Sequence, residues 1–128
     1  NRPAYIYTAV ANEEKRRALE DLGTTVITMP NNAGKVDLPA MLQDLGRREI
    51  NELHVEAGYK LNGSLLREGL IDELLVYLAP KLMGEGMGLA QMSPLTSLAD
   101  AHALSFHSVD RIGDDLRILA RLQGRDRF

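Results

Sequence analysis

The stretch INELHVEAGYKLNGSLLREGLIDELLVYLAP, residues 50–80, decides how the chain is read. It holds, in one run, an extended segment, a glycine junction, a helix and a second extended segment. Residues 53–57 are apolar and strand-like, with Glu56 near their end, and Gly58 follows directly. Leu61, Leu65, Leu66 and Leu70 then recur at helical spacing, and Gly69 closes the run. Residues 72–80, DELLVYLAP, are nearly continuously apolar after two acids, the composition of a central strand covered on both faces.

The same alternation continues outward. Residues 5–10 (YIYTAV) predict a strand, and Asn12 caps a charged, Leu-spaced helix that runs to Leu22 and ends at Gly23. Residues 24–29 (TTVITM) predict a second strand, stopped by Pro30 and the turn-forming Asn31, Asn32 and Gly34. Asp37 caps a helix through Leu45, with Pro39 in its first turn, Leu38, Met41, Leu42 and Leu45 on one stripe, and Gly46 at its end. Residues 84–94 carry three glycines and no clear period, and read as a long loop. Residues 103–109 and 116–122 are two extended runs around Gly113, an antiparallel pair. The pattern is α/β: a mostly parallel sheet flanked by helices, closed by an antiparallel C-terminal strand pair, in a single domain over residues 1–128 without internal repeat.

Composition narrows the function. The 128 residues are 45% apolar and 26% charged, as in globular domains able to bury a core. Fifteen Lys plus Arg stand against 18 Asp plus Glu, with the signs interspersed, so there is no basic face for a nucleic-acid backbone. Cysteine is absent, which removes disulfides, thiolate chemistry and Cys-rich zinc sites and fits a reducing cytoplasm. No apolar run approaches the roughly 20 residues of a membrane span.

Ligands of open α/β sheets settle beyond the carboxyl ends of strands, where helix N-termini present free N–H groups. The junction of Glu56 and Gly58 is such a place. Gly58 lets a phosphate approach the backbone, with the N–H groups of Tyr59, Lys60 and Leu61 beyond it; a plain strand-to-helix turn explains the same letters. Glu56, at the end of an apolar strand, has to be offset by a partner or face a polar cleft, so a ligand contact, a general acid and a loop cap all remain open. GYKLNGS, residues 58–64, half-resembles a phosphate-binding loop, but Ser64 stands where the motif requires lysine. His54, His102 and His107 lack metal-ligand spacing. Asp100, His102 and Ser105 have the letters of a hydrolytic triad without the nucleophile elbow. Asp72 and Glu73 read as turn residues, and Met83, Met87 and Met92 as packing filler.

Residues 50–84, INELHVEAGYKLNGSLLREGLIDELLVYLAPKLMG, closely resemble the reductase domain of the bacterial bifunctional riboflavin-biosynthesis deaminase/reductase, whose fold is dihydrofolate-reductase-like with three αβα layers. VDLPAMLQDLGRREIN, residues 36–51, and SLADAHALSFHSVDRIGDDLRILARL, residues 97–122, resemble the same family. Family members often carry two glycines after the glutamate; here Ala57 and Gly58 stand there. The resemblance implies NADPH-dependent reduction of 5-amino-6-(5-phosphoribosylamino)uracil to the ribitylamino product. It makes Glu56 the substrate-contacting glutamate and Gly58, Tyr59, Lys60, Leu61, Asn62, Gly63 and Ser64 the cofactor-lining segment. Looser analogy with the wider fold puts Thr8 near the adenosine end.

No proton donor and no metal ligand is implied by these residues. A homodimer and an upstream zinc deaminase domain are implied as partners. The family's opening strand and Met-Ser-Leu-Asp-Gly-type segment are not in this sequence, so the chain is expected to be the C-terminal portion of a reductase domain, inactive alone. One helix terminus contributes at most about 2 kcal/mol toward an anion, against roughly 8 kcal/mol for micromolar binding. Two other functions fit the residues: reduction of a different pterin-like or pyrimidine-like substrate, and a non-catalytic dimerisation module pairing through the tail strands.

Overall fold

The computed structural model describes residues 3–125 and divides into two compact units, Asn1–Val55 and Glu56–Phe128. In the first, strand β1 (Ala4–Thr8) pairs in parallel with β2 (Thr24–Thr28), Ala4 opposite Thr24 and Thr8 opposite Thr28. Helix α1 (Glu13–Glu20) connects them. It starts where Asn12 accepts a hydrogen bond from the Lys15 amide at 2.9 Å, and Glu13 and Glu14 complement the positive helix end. Gly23, at φ 86°, turns the chain into β2, and the Thr24 hydroxyl donates to the Leu19 carbonyl at 2.7 Å.

Helix α2 (Leu38–Arg47) begins at Asp37, whose carboxylate accepts from the Ala40 amide at 2.9 Å, and buries Leu38 and Leu45. Gly46 does not end it, contrary to expectation. The Arg48 amide caps the carbonyls of Asp44 and Leu45, and Glu49 takes the left-handed conformation at φ 65°.

Asp44 ties α2 to β1. Its Oδ2 accepts from the Tyr7 hydroxyl and from Arg48 Nε, both at 2.8 Å, and its Oδ1 from Arg47 at 3.3 Å. The Arg48 guanidinium also lies over the Tyr5 ring, 4.6 Å from its centroid. Chiefly through Arg48 and then Tyr7, this network holds the Asp44 carboxyl down at about 2.

The second unit contains α3 (Tyr59–Arg67), β3 (Glu73–Leu78), a short 3₁₀ turn (Leu98–Asp100), β4 (Leu104–Ile112) and β5 (Asp115–Leu122). Its sheet is antiparallel throughout, in the order β3-β5-β4. A two-residue turn at Gly113 and Asp114, with Gly113 at φ 64°, joins β4 to β5 and confirms the tail hairpin. Cross-strand register puts Leu74, Ala120 and Phe106 in one row and Val76, Ile118 and Val109 in another on the same, apolar face. The opposite face carries the ion pairs Arg121–Glu73 at 2.6 Å and Arg117–Asp110 at 2.9 Å. Arg125 pairs with Asp72 at 3.2 Å, so Asp72 and Glu73 are ion-pair partners in the sheet region.

The mixed α/β class stands, with two departures in detail. Residues 53–57 form no strand: 51–58 have no regular structure, because among the described residues the ladder of β1 goes to β2 and no strand edge pairs with this segment. β3 is not a central parallel strand. It lies at an edge, antiparallel to β5, with Leu75, Tyr77 and Leu78 exposed, because the free side of the tail hairpin supplies its apolar and charged partners. Parallel pairing is confined to β1 and β2.

The Asp44 network sets an acid limit for the first unit. Its folded pKa lies below the ordinary 3.8, so its contribution is complete above pH 4 and is lost as pH falls toward 2. Asp44→Asn is expected to lower the urea midpoint at pH 7, with the gap from wild type closing between pH 4 and pH 2; a gap independent of pH contradicts this.

Candidate functional site

The segment expected to bind substrate and cofactor, from Glu56 to Ser64, falls in the second unit, around the start of α3, whereas Thr8 belongs to the first. Gly58 is the N-cap, with φ −84° and ψ 173°, and gives the helix no side-chain cap. The first helical hydrogen bond runs from the Asn62 amide to the Gly58 carbonyl at 3.1 Å, so the N–H groups of Tyr59, Lys60 and Leu61 have no partner within the helix. The Gly58 backbone is open to any residue, and a Cβ built there meets nothing within 4 Å. Neither strain nor packing among the described residues requires glycine at this point. What its missing side chain leaves is a clear approach to the positive end of a helix, a place suited to a phosphate.

Glu56 is exposed two residues before the cap. The desolvation argument from a buried strand end therefore does not apply, and what remains is its position beside the helix start. Lys60 and Leu61 are exposed on the first turn.

The rest of the segment is engaged with protein. The Tyr59 carbonyl accepts from the Gln91 amide at 2.9 Å. Asn62 Nδ2 donates to the Leu89 carbonyl at 3.0 Å and to the Ala57 carbonyl at 3.3 Å. Gly63 is buried against the Gln91 backbone, where an added Cβ would stand 2.7 Å from the Gln91 nitrogen. Ser64 donates to the Lys60 carbonyl at 3.2 Å and accepts from Arg67 at 3.1 Å. Residues 89–91 were legible from sequence only as part of a loop; the signal that could have located them is Gly63, a glycine inside a helical pattern.

A cleft of about 260 Å³ belongs to the first unit, lined by Ile6, Val26 and Leu19 and by the polar Thr8, Thr28 and Asn12 among others. It reaches the carboxyl ends of β1 and β2, and Thr8 lines it, though its hydroxyl donates to the Val10 carbonyl at 3.1 Å. No sequence signal marked this cleft beyond Thr8. Among the described residues no cluster of acids and histidines could hold a metal ion, and no helix is long and apolar enough to cross a membrane.

The family profile of the RibD C-terminal domain matches residues 1–118. The chain belongs to that family. Among relatives, the Riboflavin biosynthesis protein RibD of Escherichia coli is 39% identical over 115 residues, covering 89% of this chain and 31% of that protein. The 5-amino-6-(5-phosphoribosylamino)uracil reductase of Buchnera aphidicola is 35% identical over 97 residues, covering 75% of this chain and 47% of its own length. The solved structure of Acinetobacter baumannii RibD superposes with a TM-score of 0.72 at 27% identity, over 84% of this chain and 29% of that one. This RibD C-terminal domain thus spans under a third of the RibD proteins compared and about half of the Buchnera reductase.

Gly63→Ala tests the close approach of α3 to residues 89–91. It is expected to destabilise the protein by about 1–3 kcal/mol, the usual effect of overpacking, whereas Gly46→Ala, with nothing within 4 Å of its Cβ, is expected to be neutral or slightly stabilising. Equal effects in chemical denaturation contradict the packing.

Proposed function

We propose that this chain forms part of an NADPH-dependent reductase of riboflavin biosynthesis, acting on 5-amino-6-(5-phosphoribosylamino)uracil and reducing its ribosylamino group to ribitylamino. The observation that carries the reading is the start of α3: a helix N-terminus without a side-chain cap, opened by Gly58, in a chain belonging to the RibD C-terminal domain family. Its chemistry fits a dinucleotide. The N–H groups of Tyr59, Lys60 and Leu61 can hold a phosphate through hydrogen bonds and the helix dipole, and Lys60 adds a positive charge on an exposed turn.

The cofactor, when bound, supplies the hydride. The chain's own residues bind and orient. Gly58 admits the pyrophosphate, and Glu56 holds the substrate by accepting hydrogen bonds from its N–H or O–H groups. Asn62, Gly63 and Ser64 belong to the same cofactor-lining segment and shape it through the contacts they make with residues 57, 60, 67, 89 and 91.

A helix start alone supplies about 2 kcal/mol of the roughly 8 that micromolar affinity needs. The remaining contacts are assigned to the rest of the reductase domain in the intact protein, which we read as a cytoplasmic enzyme with an upstream zinc deaminase domain. Exposed apolar residues of the edge strand β4, Phe106 and Val109 among them, favour a homodimer, and keep open a second reading in which this domain serves assembly.

Gly58→Val in the intact protein separates the two. The branched side chain would enter open space, so circular dichroism should not change, while NADPH affinity should fall at least about tenfold, or 1.4 kcal/mol. Unchanged affinity sinks the phosphate site, and no NADPH binding by the wild type favours the assembly role.

A further inference from the structure

Asn62 lies in the first turn of α3, half-buried, with its side-chain amide between two carbonyls from different parts of the chain. One is Ala57, five residues back at 3.3 Å; the other is Leu89, twenty-seven residues on at 3.0 Å. Carbonyls only accept, so the amide nitrogen must face both of them, and each of its N–H groups has a partner. The resemblance put Asn62 in the cofactor-lining segment, yet its donors are directed at protein backbone.

What Asn62 holds is specific. Ala57 lies between Glu56 and Gly58, so one of its bonds fixes the backbone that carries the carboxylate and opens the helix. Leu89 belongs to a short stretch fastened to α3 at three further points: the Gln91 amide donates to the Tyr59 carbonyl at 2.9 Å, Arg67 donates to the Gln91 carbonyl, and the Gln91 backbone packs on Gly63. Before this stretch the chain has no comparable anchor among the described residues. Gly84 is left-handed at φ 76°, and Leu82, Met83 and Met87 are almost fully exposed. The hold on α3 is therefore local to residues 89–91, and Asn62 is the side chain that joins it to the Glu56–Gly58 backbone.

We propose that Asn62 is a positioning residue, a latch that fixes residues 89–91 and the backbone around Ala57 to α3, so that the start of the helix is formed before a ligand arrives. The latch follows from the hydrogen bonds; its consequence for a dinucleotide rests on the function proposed above. Such preorganisation contributes to affinity by removing the ordering that binding would otherwise require.

Two substitutions of similar size test it in the intact protein. Asn62→Leu removes both donors, and Asn62→Asp keeps the shape but presents acceptors to two carbonyls, so a packing role would spare the aspartate and a latch would spare neither. Hydrogen exchange at the Gln91 amide should quicken about tenfold in both, with the amides of Ala120 and its neighbours in β5 unchanged as evidence of an intact fold. The NADPH dissociation constant should rise about tenfold, while kcat at saturating cofactor changes less than twofold. Unaltered exchange at Gln91 overturns the latch, and faster exchange with unaltered NADPH affinity overturns its link to the site. If wild type binds no NADPH, the exchange result still decides the latch, and the reading of the ligand is what fails.

Discussion

Where α3 passes Gln91, two backbones approach so closely that no side chain fits between them, and the local order around the candidate site depends on this contact. A Cβ at Gly63 would collide with the Gln91 backbone, and a glycine in a helix interior otherwise costs about 1 kcal/mol relative to alanine. That cost is offset by the fastening the approach permits. Gln91 reaches the Tyr59 carbonyl, Asn62 reaches Leu89 and Ala57, and Arg67 reaches Gln91. A loop without regular structure is thereby fixed beside the first turn of the helix, while the space a Cβ at Gly58 would enter stays open.

Each unit rests on few buried side chains. Leu38 and Leu45 are buried in the first, Leu65 and Ala120 in the second, while Phe106, Val109, Tyr77 and Leu78 stand more than half exposed on the antiparallel sheet. A domain of this length ordinarily removes far more of its apolar surface from water. Polar connections supplement these buried side chains: the Asp44 network in the first unit, and the ion pairs of β3 and β4 with β5 in the second.

Much of the local structure was legible because its causes are local. Asn12 and Asp37 cap the helices they were expected to cap, Gly23 and Gly69 take the left-handed conformations that close helices, and Gly113 turns the tail hairpin. The errors came from pairing, which sequence periodicity does not encode. Residues 53–57 have the letters of a strand but pair with no strand among the described residues, and the apolar run of β3 was read as parallel and central when its partner is a hairpin from the far end of the sequence. The site was partly legible. Gly58 announces an open helix start, and the family resemblance draws attention to the segment from Glu56 to Ser64. Within that segment Gly58, Lys60 and Leu61 are exposed, while Tyr59, Asn62, Gly63 and Ser64 are engaged with protein, and this division depends on Leu89 and Gln91, which are distant in sequence.

The central claim is that the first turn of α3 receives the cofactor's phosphates. Amide chemical shifts of the intact protein titrated with NADPH address it most directly. The account predicts that the largest changes fall on Tyr59, Lys60 and Leu61, with Gly58 beside them. Saturable binding that leaves those amides unmoved, with the shifts elsewhere in the protein, contradicts it.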